Sequence, residues 1–277
     1  MAIIKMKKIL ILTAGKVEKL DAFKNKGVTL ASFSDICFDL DEKAGLKLKS
    51  GEDLKSFDII YFRFVGKSLE IATLIVHYAK RNRVQIVDKV YEKSQLIPAS
   101  QSKLLELKKF SEAGIKIPKT TFGKFDNLEF PYVVKSTTGQ RAREVWLVNN
   151  KKEWESLQTE LDKNKLYFVQ EFIPNARRIR ALVIGDKVVG AILRQTKWNK
   201  DETKETLSPI PTDIVNLAIK SAKSVDLDIC GVDILVSSNT KEMFVIEANA
   251  APSWKLINKY CGVSVEDEII KYLQKKI

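Results

Sequence analysis

The residues best suited to chemistry are two acids and an amide near the end of the chain, Asp233, Glu247 and Asn249. Asp233 and Glu247 each interrupt an apolar run rich in Val and Ile, and Ser237–Thr240 between the runs has the composition of a turn. The two runs therefore predict a β-hairpin. A carboxylate buried in such a run without a positive partner is strongly unfavourable, so we expect a cation beside each acid.

Two kinds of cation fit this hairpin. Residues two apart in a strand share a face, so Glu247 and Asn249 point the same way, and pairing through the turn can bring Asp233 to that face. Such oxygen ligands suit a magnesium ion that also holds the phosphates of a nucleotide. Alternatively, the acids form salt bridges with lysines or lie at frayed strand ends. Spacing alone leaves both interpretations open.

A longer match extends the metal interpretation. Gly231-Val-Asp-Ile-Leu235, followed by Val245-Ile-Glu-Ala-Asn-Ala-Ala-Pro252, resembles the magnesium-binding signature of the ATP-grasp superfamily and, within it, the RimK-like glutamate ligases. The resemblance covers residues 96–277 well and the first domain loosely. It implies that the two acids and the amide hold Mg²⁺, or Mn²⁺, which bridges the phosphates of ATP.

Two lysines match nucleotide-binding lysines of that family. Lys103 begins a helix predicted over Ser102–Ala113, and Lys135 follows the apolar strand that starts at Phe130. A buried ammonium needs an anion to keep its charge, so we expect an anion beside Lys135. The resemblance implies that this anion is the triphosphate of the nucleotide. Lys103, by contrast, is an ordinary solvated helix residue unless the resemblance holds.

The loop that follows Lys135 departs from the family pattern. The family has several glycines there, which form a flap whose amides fold over the phosphates, and this chain keeps only Gly139. Further along, Tyr167–Ile173 resembles a strand whose backbone holds the adenine edge. The adenine contacts implied there involve Gln170, Glu171, Phe172 and Ile173.

The run Arg177–Arg194 predicts a second hairpin with Gly185-Asp186 at its turn. Arg180 and Arg194 match family arginines that hold phosphate oxygens and the developing acyl phosphate, although both also fit as exposed hairpin charges. Arg178 stands where the family usually has an aspartate. The family's R-S-N motif is missing after this hairpin, and Lys204 is the candidate replacement for its basic group.

The remaining patterns predict where these residues lie. Strands alternating with helices over roughly the first ninety residues predict a small parallel sheet, with a helix over Val17–Lys26. We therefore expect an α/β and α+β protein, an ATP-grasp fold preceded by a small parallel-sheet domain. The expected domains are residues 1–95, 96–169 (nucleotide lid) and 170–277 (metal site). By resemblance, Arg63 at the end of a strand in the first domain contacts a substrate carboxylate, although a salt bridge is equally plausible.

Composition excludes several classes of protein. The 277 residues carry a net charge of +12, which favours an acidic partner or simply aids solubility. Three scattered cysteines form neither a disulfide framework nor a zinc pattern, and no apolar run is long enough for a membrane span or signal peptide, so we expect a cytoplasmic protein. No basic stretch alternates with aromatic residues, so nucleic acid is an unlikely partner. The one histidine, His77, lies in a predicted helix and fits packing better than catalysis.

The function that the resemblance implies is an ATP- and Mg²⁺-dependent, ADP-forming carboxylate-amine ligase. It would form an amide or peptide bond through an acyl phosphate, with an amino acid such as glutamate joined to an acidic acceptor. The partners would be ATP, a carboxylate and an amine from an amino acid, peptide or protein tail, and an oligomer is possible. The alternative is a nucleotide-binding regulatory protein with weak or no turnover, which the glycine-poor flap and Arg178 favour.

Overall fold

The computed structural model describes residues 6–38, 45–93, 98–122, 129–138, 144–194, 196, 198 and 205–276. Within these ranges the chain forms three four-stranded sheets, one two-stranded sheet and six α-helices. None of the helices in these ranges is both long and apolar enough to cross a lipid bilayer.

The N-terminal part folds as a parallel sheet buried on both faces. Its elements are β1 (Ile9–Thr13), β2 (Thr29–Ser32), β3 (Ile36–Phe38), β4 (Leu46–Leu48), β5 (Ile59–Phe64), α1 (Leu69–Arg81) and β6 (Gln85–Val87). The parallel order is β2-β1-β5-β6, and β3 and β4 form a separate antiparallel pair. Leu10 and Leu12 pack on one face and Ile9 and Ile11 on the other, which explains why β1 is apolar throughout.

One helix in this part is shorter than the sequence predicts. The helix expected over Val17–Lys26 is a 3₁₀-helix over Val17–Phe23. Its buried residues, Leu20 and Phe23, are three positions apart and so eclipse one another in a helix of three residues per turn. The winding therefore places the two side chains one above the other in the same apolar cluster.

The middle part is a small antiparallel sheet with one helix before it in sequence and one helix before its last strand. Its elements are α2 (Lys103–Glu112), β7 (Thr120–Phe122), β8 (Tyr132–Ser136), β9 (Val145–Val148), α3 (Lys151–Glu160) and β10 (Tyr167–Glu171). The strand order is β7-β10-β8-β9. β10 runs across residue 169, where the sequence places a subdomain boundary, and that boundary stays a prediction.

The C-terminal part is a second antiparallel sheet. Its elements are β11 (Ala176–Ile184), β12 (Lys187–Arg194), α4 (Thr212–Ser224), β13 (Ile229–Ser237), β14 (Met243–Asn249), α5 (Lys255–Cys261) and α6 (Val265–Lys275). The strand order is β12-β11-β13-β14. β11 therefore pairs with β12, its hairpin partner, and also with β13, some fifty residues away in sequence.

The two faces of the C-terminal sheet have different neighbours. Ala181 and Val183 pack in one apolar cluster with residues of α2 and α4. Leu182 and Ile184, which point the other way, pack with α5, α6 and residues of the N-terminal sheet. Arg180 continues this second face two residues before Leu182. The arginine thus lies where the apolar packing of that face ends.

Candidate active site

One cross-strand row of the C-terminal sheet carries both predicted acids. Asp233 of β13 lies opposite Arg180 of β11 on one side and opposite Glu247 of β14 on the other. Directly opposite residues point to the same face, and Asn249 follows Glu247 by two residues. The structure therefore confirms the predicted hairpin and the shared face of the two acids.

The cation beside Asp233 is a pair of arginines. Arg180 donates from Nε to Oδ1 and from Nη2 to Oδ2 of Asp233, each at 2.6 Å, and Arg178 donates to Oδ2 as well. The Asp233 side chain is fully buried. Burial alone would raise the pKa of Asp233, but the charges of Arg180 and Arg178 outweigh it and hold that pKa below its usual range.

Glu247 has a different environment. Its carboxylate forms no hydrogen bond or ion pair with another residue of the described ranges. Burial raises the pKa of Glu247, and the charge of Asp233 raises it further, against the opposing effect of Arg180 and Arg178. Next to it, Asn249 Oδ1 accepts one hydrogen bond, from the backbone N–H of Ala251 at 2.8 Å. Glu247 and Asn249 therefore keep oxygen atoms available for a ligand.

Arg194 adds positive charge to the same area. It lies on β12, opposite Arg178 of β11. Its guanidinium has no hydrogen-bond or ion-pair partner among the residues that the structure describes. Burial and the charges of Arg180 and Arg178 lower the pKa of Arg194. A surplus of arginine charge, buried at Arg180 and half-buried at Arg178 and Arg194, favours an anionic ligand at this face.

Glu106 is a buried acid that the sequence analysis missed. It lies on α2, and its Oε1 accepts a hydrogen bond from the backbone N–H of Ala248 at 2.5 Å. Burial, followed by the charge of Glu247, raises the pKa of Glu106 well above its usual range, which favours the neutral form. The signal was available in the spacing, because positions 103, 106, 107 and 110 share one face of a helix.

The two predicted lysines lie at the middle sheet. Lys103 donates from Nζ to the backbone oxygen of Ser136 at 3.0 Å, and Lys135 donates to Oε1 of Gln170 at 2.5 Å. Burial lowers the pKa of Lys135 to about 8, and the nearby charge of Lys103 contributes. Burial also lowers the pKa of Lys103, which the acids Glu247, Glu144 and Glu106 oppose.

The segment expected to bind adenine connects the middle and C-terminal sheets. Gln170 is buried and donates from Nε2 to Thr120 Oγ1 at 2.9 Å. Glu171 ends β10 and bonds to Lys119 through both its backbone and its side chain. Phe172 contacts Trp198 edge-to-face, with 5.6 Å between the ring centroids. Ile173 is buried against neighbouring apolar residues. The adenine contacts themselves stay a prediction.

Two predicted nucleotide residues, Gly139 and Lys204, lie outside the described residues. His77 is exposed on α1, so the expectation that it packs within the apolar face of that helix is wrong.

Arg63 lies at the carboxyl end of β5, donates to the backbone oxygen of Pro252 at 2.6 Å and stacks over Trp254 with 4.1 Å to the ring centroid. It forms no salt bridge with a residue of the described ranges.

The oxygen atoms at β14 and its neighbour β13 meet part of what a hard divalent cation requires of its ligands. Magnesium is usually bound by one or two carboxylates together with waters and substrate phosphates. Glu247, which lacks a partner among the described residues, and Asn249 meet that requirement, whereas the oxygens of Asp233 already accept three hydrogen bonds from arginines. Within the described residues no three His, Cys, Asp or Glu side chains form a metal-binding group by themselves.

Comparisons with known proteins agree with this geometry. Residues 95–273 match the RimK-like ATP-grasp domain family. A probable alpha-L-glutamate ligase of Vibrio atlanticus is 30% identical over 245 residues, which is 81% of this chain and 79% of that protein. One from Mannheimia succiniciproducens is 28% identical over 246 residues, with the same coverage of 81% and 79%.

Solved structures share the fold. The ATP-grasp ligase PsnB, complexed with a phosphomimetic variant of its minimal precursor, Mg and ADP, has a TM-score of 0.72 at 14% identity and covers 99% of this chain and 100% of that chain. A RimK domain ATP-grasp protein from Sphaerobacter thermophilus has a TM-score of 0.65 at 19% identity, with coverage of 96% and 98%. With its cross-strand row of arginine and carboxylates in an ATP-grasp fold, this chain belongs to the RimK-like ATP-grasp family of carboxylate-amine ligases.

Proposed function

We propose that the protein uses ATP and Mg²⁺ to join a carboxylate to an amine through an acyl phosphate. The observation that carries this proposal is the row Arg180–Asp233–Glu247, flanked by an arginine and a lysine that lack an acidic partner among the described residues. Arg194 and Lys135 supply that uncompensated positive charge. A triphosphate carries enough negative charge to interact with cations of both sheets.

The chemistry assigned to the site is transfer of a phosphoryl group. A carboxylate oxygen of the acid attacks the γ-phosphorus, and the bond to the β-phosphate oxygen breaks to release ADP. The amine nitrogen then attacks the acyl carbon, phosphate leaves, and the nitrogen loses a proton. Such reactions depend mainly on positioning and on stabilisation of charge, so the scarcity of histidine is no obstacle.

Each site residue has a place in that scheme. Lys103 and Lys135 hold phosphate oxygens from the middle sheet, with Gly139 in the adjoining loop, and Arg180 and Arg194 neutralise charge on the transferred group from the C-terminal sheet. The divalent cation would supply further neutralisation of the phosphates. Asp233, Glu247 and Asn249 are its predicted ligands, and of these Glu247 and Asn249 have oxygen atoms available, whereas Asp233 accepts three hydrogen bonds from arginines. The adenine base is bordered by Gln170, Glu171, Phe172 and Ile173. Lys204 adds one further positive charge.

The test is release of ADP in the presence of pools of amino acids and acidic peptides. A pool that stimulates release should lose its effect in the variant Glu247→Gln, which keeps the size of the side chain and removes its charge. Glu242→Gln is the matched control, because Glu242 is exposed and pairs with Lys116 just before β14. Release that needs no second substrate, or that survives Glu247→Gln, would reject the proposal.

The net charge of +12 supports an acidic acceptor, such as glutamate or a glutamate-rich chain end, because the protein's field would attract it. Ligation of neutral amino acids with no ligation of acidic ones would exclude this acceptor. The proposed ligase chemistry would survive that result, since it does not depend on the choice of acceptor.

A second candidate is a nucleotide-binding regulatory protein without turnover. The observation that favours it is the engagement of both oxygens of Asp233 by arginines. Binding of ADP without any stimulated release across the substrate pools would select this function over the ligase.

A further inference from the structure

The carboxylate of Asp233 has little capacity left for a metal ion. Its two oxygens provide about four lone-pair sites, and three of them accept hydrogen bonds from Arg178 and Arg180. Arg180 binds in the two-point geometry that a guanidinium offers a carboxylate. The side chain is fully buried, so exchange of these partners would require two arginines to move together.

Arg178 reaches Asp233 from the next position along the same face of β11. Its cross-strand neighbours are Leu235 and Arg194, so it contacts Asp233 diagonally rather than directly across the sheet. A diagonal contact of this kind is within reach of long side chains. Arg178 therefore puts a second positive charge on the acid that Arg180 already neutralises.

The neighbouring acid shows the opposite situation. Glu247 faces Asp233 across the strand pair and has no hydrogen bond or ion pair with any residue of the described ranges. Asn249 lies two residues further on the same face and uses its side-chain oxygen for one hydrogen bond. The oxygens that still need a cation are thus those of Glu247 and Asn249.

We propose that the guanidinium of Arg178 takes the place of a divalent cation at Asp233, so that this chain binds one nucleotide-associated divalent cation, through Glu247 and Asn249. The inference rests on the proposed function, because it assumes that nucleotide and metal bind at this face. Asp233 then serves as a positioning residue that holds Arg178 and Arg180 toward the phosphates.

The test counts metal ions and needs no turnover. Mn²⁺ is titrated into the full chain with the non-hydrolysable ATP analogue AMPPNP, and free Mn²⁺ is measured by electron paramagnetic resonance. The nucleotide without protein is titrated in parallel and subtracted. We expect one Mn²⁺ per bound AMPPNP in the unaltered protein, at least tenfold weaker Mn²⁺ binding in Glu247→Gln, and less than threefold change in Asp233→Asn.

Removal of the guanidinium should reopen Asp233. Arg178→Gln is expected to bind a second Mn²⁺ per AMPPNP, or to bind the first at least tenfold more tightly. Arg177→Gln is the matched control, because it removes the same charge from the neighbouring exposed residue on the other face of β11 and should bind like the unaltered protein. Circular dichroism of each variant establishes that it is folded.

The outcomes separate this inference from the proposed function. Two Mn²⁺ per AMPPNP in the unaltered protein, or equal weakening by Asp233→Asn and Glu247→Gln, would overturn the inference and leave the ligase proposal standing. Failure of the folded protein to bind AMPPNP at all would overturn both. An Arg178→Gln variant with unchanged Mn²⁺ stoichiometry and affinity would also reject a metal-replacing role for Arg178.

Discussion

Glu106 of α2 accepts a hydrogen bond at 2.5 Å from the backbone N–H of Ala248, which lies between Glu247 and Asn249 on β14. β14 is an edge strand, and an exposed edge leaves backbone donors unpaired. The acid therefore satisfies a donor at the very point where the site residues leave the strand. Because α2 also carries Lys103, which bonds to Ser136 of the middle sheet, one helix connects both halves of the site.

This relationship predicts that Glu106 can be replaced by an acceptor but not by a hydrocarbon. Glu106→Leu leaves the Ala248 N–H unpaired and should cost about 1–3 kcal/mol in the free energy of unfolding. Glu106→Gln keeps an acceptor and carries no charge. Since burial and Glu247 raise the pKa of Glu106 in the folded protein, this variant should be at least as stable as the unaltered protein at pH 7.

Chemical denaturation of both variants at pH 5 and pH 8 checks this. A group whose pKa is raised by folding contributes stability at low pH and loses it as pH rises. The unaltered protein should therefore lose stability relative to Glu106→Gln between those pH values. Equal stability of the two at both pH values would contradict the assigned environment of Glu106.

Lys135 predicts a pH limit on nucleotide binding. Burial lowers its pKa from 10.5 to about 8 in the ligand-free protein, so the ammonium needed for a phosphate is lost above that pH. The affinity for ADP should be constant from pH 6.5 to 7.5 and fall by up to about tenfold per pH unit above pH 8. Lys135→Arg, which stays charged, should remove this dependence, and calorimetric titration across the range measures it.

The same lysine should make the ligand-free protein more stable as pH rises, whereas it makes ADP binding weaker. Between pH 8 and pH 10.5 the unfolded chain binds the Lys135 proton while the folded chain does not. Stability should therefore rise with pH over this window relative to a Lys135→Met variant. A slope that is the same in both proteins would show that the surroundings of Lys135 do not lower its pKa in the folded protein.

Gly231 of β13 lies opposite Asn249 of β14. Because Gly231 has no side chain, the loop after β14 can lie close to the backbone of β13. A Cβ at position 231 would lie 2.9 Å from Cβ of Pro252 and 3.5 Å from Cδ of Arg180. Gly231→Ala should therefore destabilise the fold by about 1–3 kcal/mol and also weaken binding of AMPPNP with Mn²⁺. Gly190→Ala is the control, since its Cβ would crowd Ile257 of α5 at 2.7 Å. Similar losses of stability with a loss of binding only in Gly231→Ala would support the assignment.

Local patterns of the sequence were sufficient for both hairpins of the C-terminal sheet. The turn Gly185-Asp186 joins β11 and β12. Asp233 lies opposite Glu247 because the register of the β13–β14 pair shifts by one residue between Ile234 and Asp233. In each hairpin the two strands are adjacent in sequence, so the turn determines which strands pair. Each pair also contains one register shift that the sequence pattern did not indicate. The fold of the family, expected from motifs on these strands, is also confirmed.

The partner of Asp233 depended on a pairing that no local pattern reveals. β11 and β13 are hydrogen-bonded although about fifty residues separate Arg180 from Asp233, and neither strand alone indicates which neighbour it takes. The sequence suggested lysines as the salt-bridge alternative, and the structure places two arginines there instead. Glu106 was missed for a related reason, because its role appears only once α2 covers the edge of β14.

Arg63 predicts a link between the N-terminal sheet and the substrate side of the site. Its guanidinium stacks over Trp254 and donates to Pro252 O, three residues beyond Asn249, and Trp254 is itself fixed by a 2.6 Å hydrogen bond from Nε1 to Glu266. Stacking and a charged hydrogen bond together should stabilise the fold by about 2 kcal/mol. Arg63→Leu should lose that amount, and Arg63→Lys, which cannot stack as a plane, should lose part of it.

The same variants separate a structural role of Arg63 from one in substrate binding. Its remaining donors form no salt bridge with the described residues, and they lie at the carboxyl end of a parallel strand, where ligands of α/β proteins usually bind. If they hold a substrate carboxylate, Arg63→Lys should raise KM for the acid at least tenfold and leave the affinity for ADP unchanged. A loss of stability with no change in that KM would assign Arg63 to the contact between the two sheets alone.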